Sequence, residues 1–237
     1  MVTKVLTDAQ RFKIDQEPDH IFYQHPRFVQ HLDKPFRTRL TEFYREQIPP
    51  CATVLDLGSS WVSHLPDNVR YERIIGHGMN DAELSANPRL DSYFVQDFNL
   101  DPSIPLQEGF VDVCMVVAAW QYWTRPEEVA AEMLRVTRSN GTAIVAFSNR
   151  MFFTKAPQVW TDGDDCEHLD YVGTVLQSNG WGDVKVKAEE TKKDGLIGLM
   201  GGKGVKVYTP LGASLPALFD GIRSSASSST WSYERIT

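Results

Sequence analysis

The sequence predicts an α/β fold: a doubly wound, mostly parallel sheet of seven strands with a helical extension in front of it. Three observations carry this. Thr53-Val54-Leu55-Asp56-Leu57-Gly58 is an apolar run ending in an acid and a glycine, the pattern of a buried parallel strand entering a tight loop. Phe110-Val111-Asp112-Val113-Cys114-Met115-Val116-Val117 is almost continuously apolar, as a strand covered on both faces is. Strands then alternate with helices at the spacing of βαβ units, which makes parallel pairing the natural arrangement.

Residues 1–50 read as an N-terminal helical extension. Phe36, Leu40, Phe43 and Tyr44 recur at helical spacing, and Pro49-Pro50 stops that helix. Around residues 20–33, apolar Phe22, Tyr23 and Phe28 are mixed with Arg27, His31 and Asp33, more charge than a packing helix needs. This stretch is expected to fold over the carboxyl edge of the sheet as a lid.

Residues 51–210 form the main domain. Its strands are expected at Thr53–Leu57, Tyr71–Gly76, Ser92–Val95, 110–117, Thr142–Phe147 and Asp183–Lys187, with a seventh at Val205–Tyr208. A helix spans Pro126 to Thr137, with proline in its first turn, Glu127 and Glu128 at its positive end, and Arg135 and Arg138 at its negative end. Leu169–Gln177 is a second helix, closed by Asn179-Gly180. Residues 211–237 are Ser-rich around Ser224–Ser229 and are expected to be a mobile tail.

The chain has 237 residues, 42% of them hydrophobic, enough for one good-sized core. Net charge is -7, from 24 basic and 31 acidic residues, with no basic block. Nucleic-acid partners need a positive footprint, so the composition points to a small-molecule partner instead. No apolar run approaches the roughly 20 residues that span a bilayer, and Met1–Asp8 lacks a signal-peptide core. Cys51, Cys114 and Cys166 are odd in number and have no C-x-x-C spacing, which argues against a disulfide scaffold or structural zinc. His25, His31 and His64 have no metal-site spacing either, so no metal is expected. A reducing compartment fits, the cytoplasm first and an organelle second. Oligomeric state is left open.

In open α/β sheets ligands bind outside the carboxyl ends of the strands. Gly58 tolerates positive φ and lets a ligand approach the backbone. Asp56 can orient that loop or accept from a ligand ammonium or hydroxyl. Trp120, Tyr122 and Trp123 follow the fourth strand and can wall a ligand pocket.

Thr53–Ser60 resembles the first motif of the class I S-adenosylmethionine-dependent methyltransferases, with Ser59-Ser60-Trp61 in place of a glycine-rich continuation. Arg135-Val136-Thr137-Arg138-Ser139-Asn140-Gly141-Thr142 is similar to the helix, turn and fifth strand of the ubiquinone and menaquinone group, usually R-V-L-K-P-G-G. Within the type 11-like enzymes the chain resembles a branch of bacteria, algae and plants. The marks of that branch are Phe22–Asp33, Ser59–Pro66, Gly76–Asn80 and Ser148-Asn149-Arg150, and the resemblance spans about residues 20–190.

The resemblance implies a Rossmann-like fold and S-adenosylmethionine as cofactor. It places Asp56, Gly58, Ser59 and Ser60 at the amino-acid end of the cofactor and Asp97-Phe98 at the adenine. Gly78 falls where the family grips the ribose with an acid, so Asn80 is expected to substitute there. The implied activity is in-line methyl transfer to a small-molecule acceptor. The acceptor pocket is expected from Tyr23, Arg27, Trp120, Tyr122, Asn149 and Arg150, with His31 or His64 as general base. Two alternatives remain. One is a non-catalytic cofactor- or partner-binding protein on the same fold. The other is a nicotinamide-dependent oxidoreductase, against which stands the lack of G-x-G-x-x-G after the first strand and of a Tyr-x-x-x-Lys pair.

Overall fold

The computed structural model describes residues 1–148, 150–188, 196–202, 207–208 and 232–235, with side chains described as far as residue 182. Its centre is a sheet whose parallel part runs β3 (Ser92–Val95), β2 (Arg73–Gly78), β1 (Thr53–Leu57), β4 (Val111–Val117), β5 (Thr137–Ser148). Beyond β5 come β7 (Leu196–Gly202), antiparallel to it, then β6 (Gly182–Ala188) and β9 (Ser232–Arg235), with β8 (Val207–Tyr208) paired to β7. The sheet therefore has nine strands among the described residues.

β1 is buried along its whole length and pairs with β2 on one side and β4 on the other. Strands with neighbours on both edges and both faces covered lose no hydrogen bond and expose no apolar side chain, which is why these two segments are so apolar. The expected strand at Tyr71–Gly76 starts and ends later, at Arg73 and Gly78. The fifth strand is longer than expected because Thr137 already pairs with Val111 of β4; residues 138–141 then bulge out before the ladder resumes at Thr142, opposite Val113. Val207–Tyr208, inside the stretch expected as the seventh strand, is only a two-residue addition, and Val205 lies outside the described residues. The full partner of β5 is Leu196–Gly202, whose three glycines gave no strand pattern. Of the expected tail, residues 232–235 pair in parallel with β6, whereas Ser224–Ser229 lie outside the described residues.

The expected helices are present, the one starting at Pro126 ending a residue earlier at Val136 and the one at Leu169–Gln177 extended to Asp165–Ser178. α1 is a single turn at Asp19–Phe22, and α2 spans Lys34–Gln47. In α2 the Asp33 side chain caps the helix by accepting from Phe36 N–H at 2.7 Å, and Phe36, Leu40, Phe43 and Tyr44 form its buried face. α3 (Asp81–Ser85) follows β2. α4 (Pro126–Val136) buries Val129, Ala130, Met133 and Val136. After α5 (Gln158–Thr161), α6 (Asp165–Ser178) begins with a capping box between Asp164 and Glu167. No helix joins β1 to β2. Residues 58–72 run as an irregular loop, and this loop forms one wall of the site.

The N-terminal residues share the main core, since Leu6, Leu32, Phe36, Leu40, Phe43, Tyr44 and Ile48 pack in the same apolar cluster as β1 and β4. Their path is fixed by polar anchors. Thr3 and Asn179 exchange two hydrogen bonds. The buried Glu127 of α4 accepts from Val5 N–H, Leu6 N–H and the Arg11 guanidinium. Lys155, 1% exposed, pairs with Asp15 at 3.1 Å and Asp19 at 3.3 Å. Lys13 holds the other oxygen of Asp19 at 2.7 Å. Residues 19–32 emerge from these anchors above the carboxyl ends of β1 and β2.

Candidate active site

A cavity of 360 Å³ opens at the carboxyl ends of β1 to β4, roofed by residues from the 19–32 segment. This is the crevice that doubly wound sheets offer to ligands.

The loop after β1 turns on Gly58, at φ +68°. Gly58 lines the cavity, and a Cβ here would stand 2.1 Å from the Ala119 side chain, so the glycine also makes room for the turn after β4. Asp56 is buried, and one of its oxygens accepts from Ser59 Oγ at 2.8 Å and Ser63 Oγ at 2.7 Å. Burial pushes its pKa up to about 6, against the opposing pull of the two hydroxyls. The acid thus shapes the loop, while still lying on the cavity wall. Ser59 N–H donates to the His77 carbonyl at 2.7 Å, and Ser60 Oγ donates to Glu83 at 2.5 Å.

His77, at the end of β2, ties three strand ends together. Gly58 N–H points at its Nδ1 at 3.3 Å, so Nε2 carries the proton and donates to the Gln96 carbonyl at 2.9 Å. Burial holds its pKa down near 4, outweighing the hydrogen bond to Gln96, and the ring is neutral at pH 7. Phe98 stacks on it at 3.9 Å, and Trp123 meets Phe98 edge-on at 5.8 Å. Both aromatics line the cavity.

Asp97 lies at the end of β3, as placed from sequence. One oxygen accepts from Asn99 N–H at 2.9 Å, and the other has no hydrogen-bond partner among the described residues. Burial raises its pKa, partly offset by that amide. Asn80 is on the cavity wall but its amide is committed. Its oxygen accepts from Glu83 N–H at 3.1 Å, and its two hydrogens go to the carbonyls of Tyr23 at 2.8 Å and Gln24 at 3.3 Å. It fastens the roof and caps α3, leaving no donor for a ribose.

On the acceptor side, Tyr122 lines the cavity, its hydroxyl accepting from Phe152 N–H at 2.9 Å and its pKa pushed by burial up to about 12. Arg150 also lines it. Asn149 lies outside the described residues. Two expected wall residues are elsewhere. Trp120 is fully buried behind the wall, where it packs against Trp123, because the backbone after β4 turns at Ala118 (φ +51°) and directs it inward. Arg27 bends back into its own segment. Its guanidinium lies 4.4 Å over the Phe22 ring and donates to the Phe22 carbonyl at 2.8 Å. Tyr23 lines the cavity beneath it, its pKa raised by burial.

Both candidate histidines reach the cavity. Burial lowers the pKa of His64 to about 4, helped by Arg37. Burial also lowers that of His31, opposed by the charge of Glu83, and its ring meets Phe152 edge-on at 5.9 Å. Residues that sequence reasoning passed over include Asp19, His77, Glu83, Gln121 and Phe152, all on the wall. The capping pattern of Asn80 with Glu83 was the one signal that could have drawn attention to Glu83.

Among known families, residues 55–145 match the model described as "Methyltransferase domain". No curated protein matches the chain. Among solved structures it is similar to a SAM-dependent methyltransferase from Aquifex aeolicus, at 14% identity and TM-score 0.49 over 72% of this chain and 98% of that one. It is also similar to a chain of the complex of the Haloferax volcanii Trm112 methyltransferase activator, at 18% identity and TM-score 0.49 over 65% and 72% of the two chains. The [4+2]-cyclase SpnF is similar at 15% identity and TM-score 0.47, over 62% of this chain and 59% of the cyclase. The family match runs from β1 to β5 and takes in the Gly58 loop, the Asp97 turn and the wall after β4. Residues 55–145 thus match a methyltransferase-domain model, and they carry the parallel part of a doubly wound, Rossmann-like sheet.

Proposed function

We propose that the protein is an S-adenosylmethionine-dependent methyltransferase that modifies a small molecule, working in the cytoplasm. The observation that carries this is the roofed cavity at the ends of β1 to β4, large enough for a ligand of that size and lined by acids, aromatics and neutral histidines. The residues present fit the cofactor. The open oxygen of Asp97 suits the adenine amino group, with Phe98 as an apolar wall beside it. Asp56 and the Ser59-Ser60 loop suit the amino-acid end. Tyr122, Trp123 and Phe152 offer π faces where a sulfonium and its acceptor meet.

The bound cofactor supplies a methyl group on a positively charged sulfur, which departs in line with an attacking nucleophile. The chain's own part is to position, to exclude water and to take a proton. Alignment of the two reactants supplies much of the acceleration. The 19–32 segment, with Tyr23 and His31 on its inner side, keeps water from the reacting groups. His31 is the general base of this proposal: it is neutral at pH 7 and lies on the acceptor side against Phe152. His64, held near 4, is too weak a base for that duty and serves to orient the acceptor.

Titration calorimetry with S-adenosylmethionine and S-adenosylhomocysteine tests the reading, and binding of both is expected. Absence of binding by either would overturn it. One observation favours a second reading, a binding protein without turnover: the first two amides of the loop are spent on His77. Release of S-adenosylhomocysteine with candidate acceptors separates the two.

A further inference from the structure

The acceptor side of the cavity holds two phenols, Tyr23 from the roof and Tyr122 from the turn after β4. Their rings belong to one aromatic wall. Phe22 meets Tyr23 at 4.9 Å and Phe152 at 5.0 Å, and Phe152 lies against Tyr122 at 5.8 Å. Each phenol carries a hydrogen to give. The Tyr122 oxygen accepts from Phe152 N–H at 2.9 Å. Burial pushes its pKa up, and that bond and the Gln121 amide oppose the push, so both draw on the oxygen and leave the hydrogen unspent. The Tyr23 hydroxyl has no hydrogen-bond partner among the described residues. Tyr44, Tyr71 and Tyr171 also lack one, but their hydroxyls are sealed within the protein, whereas that of Tyr23 is open to the cavity. After burial itself, Tyr122 is the neighbour that raises the Tyr23 pKa most, as two hydroxyls in one space do.

We propose that Tyr23 and Tyr122 determine specificity by donating together to a carbonyl oxygen of the acceptor, so that the substrate class is a flat, apolar carbonyl compound. The inference rests on the methyltransferase reading above and deepens it. A carbonyl oxygen has two lone pairs and no hydrogen, the complement of two donors. A protonated amine has no lone pair, and in filling the cavity it would leave both phenolic hydrogens without a partner. A carboxylate has the lone pairs but also a charge. Among the described residues Arg150 is the single lysine or arginine on the cavity wall, against Asp56, Glu83 and Asp97, which favours the neutral group. The flat apolar body follows from the Phe152 ring and from Val29, Leu32 and Met151, which also line the cavity. Donation to the carbonyl makes a hydroxyl conjugated with it more acidic, which suits a base as weak as His31.

The test uses the full chain and four probes of similar size: acetophenone, ethylbenzene, benzylamine and benzoate. Their affinities are read by ligand-observed NMR titration, with and without saturating S-adenosylhomocysteine. Acetophenone should bind about tenfold more tightly than ethylbenzene, the scale of two neutral hydrogen bonds, and more tightly than the two charged probes. Tyr23→Phe and Tyr122→Phe should each lose part of that preference, and the double variant all of it. Ethylbenzene should bind the variants as it binds wild type, which reports that they are folded. A preference that survives in the double variant overturns the assignment to these two residues. Tighter binding of benzylamine or benzoate overturns the carbonyl class, as does equal binding of acetophenone and ethylbenzene or binding of no probe. The series without S-adenosylhomocysteine keeps the two readings apart: a chain that selects acetophenone but does not bind S-adenosylhomocysteine overturns the cofactor reading and leaves the phenol pair standing.

Discussion

The N-terminal segment is held in two different ways along its length. Residues 3–19 are moored by buried charge: Glu127, with its side chain 2% exposed, gathers two amides and a guanidinium, and Lys155 sits between two aspartates. Residues 20–32 are held by single hydrogen bonds at a rim, from Asn80, Glu83 and Trp61, while Phe28 and Val29 stay 52% and 55% exposed. The first half would leave uncompensated charge behind if it moved. The second has no buried ion pair among the described residues and rests on hydrogen bonds, on contacts of Phe22 and His31 with Phe152, and on Leu32 in the core at its end. The buried charges are gathered in the mooring, and the rim carries the fewer and more exposed contacts.

The comparison breaks if the two halves respond alike to substitution. The largest effect is expected from Glu127→Ala, which leaves Arg11 and two amides without their partner, at about 3–5 kcal/mol of unfolding free energy in urea denaturation. A loss below about 1 kcal/mol would show that the mooring is not the stronger half. Gly58→Ala, in the loop beneath the roof, adds a methyl where Ala119 already stands and at a positive φ. It should cost roughly 2–3 kcal/mol and weaken S-adenosylhomocysteine binding, so both quantities are measured on one preparation.

His64 tests the cavity by pH. Its folded pKa is about 4, below the ordinary 6.5, so on acidification the unfolded chain takes up the proton first. Its contribution is fully present above pH 6.5 and is lost as pH falls toward 4. Urea titrations across that window should show a shallower slope in His64→Gln than in wild type. An identical slope would mean that burial does not hold this ring neutral. The smallest effect is expected at the roof's outer side. Phe28→Ser should change stability by no more than about 0.5 kcal/mol, yet hasten exchange of neighbouring amides by loosening the Phe28–Trp61 contact, 6.3 Å between rings.

Much of the fold was legible because local pattern and final position agree. β1 and β4 are apolar because both faces and both edges are covered, and α4 carries its proline and its charges at the proper ends. β7 was illegible because glycines give no alternation, and its strand state depends on β5 and β6 flanking it. In the site, Asp97 was placed by the family resemblance and Tyr122 by following the fourth strand, and both line the cavity. Trp120 and Trp123 follow the same strand, but the positive φ at Ala118 decides which of them faces the core, and nothing local to either residue reveals that. Arg27 was read as a clamp on an acceptor, whereas the Phe22 ring five residues earlier offers its guanidinium a nearer seat. Glu83 sits on a short helix with no motif of its own, and gains meaning only when the roof and the loop arrive on its two oxygens.

The reciprocal pair of Thr3 and Asn179 also bears on the order in which the molecule assembles. The strands β1 to β4 pair with neighbours close in sequence, but this link closes nearly the longest loop in the described chain, and loop closure grows costlier with length. During synthesis the first residues must wait, unpaired, until α6 has left the ribosome. The anchors at Glu127 and Lys155 become available earlier, one after another, so the strap is drawn down in stages toward the cavity. The roof's own partners, Trp61, Asn80 and Glu83, leave the ribosome before any of these anchors, so the roof has its fastenings first and the tie at residue 179 secures only the end of the strap.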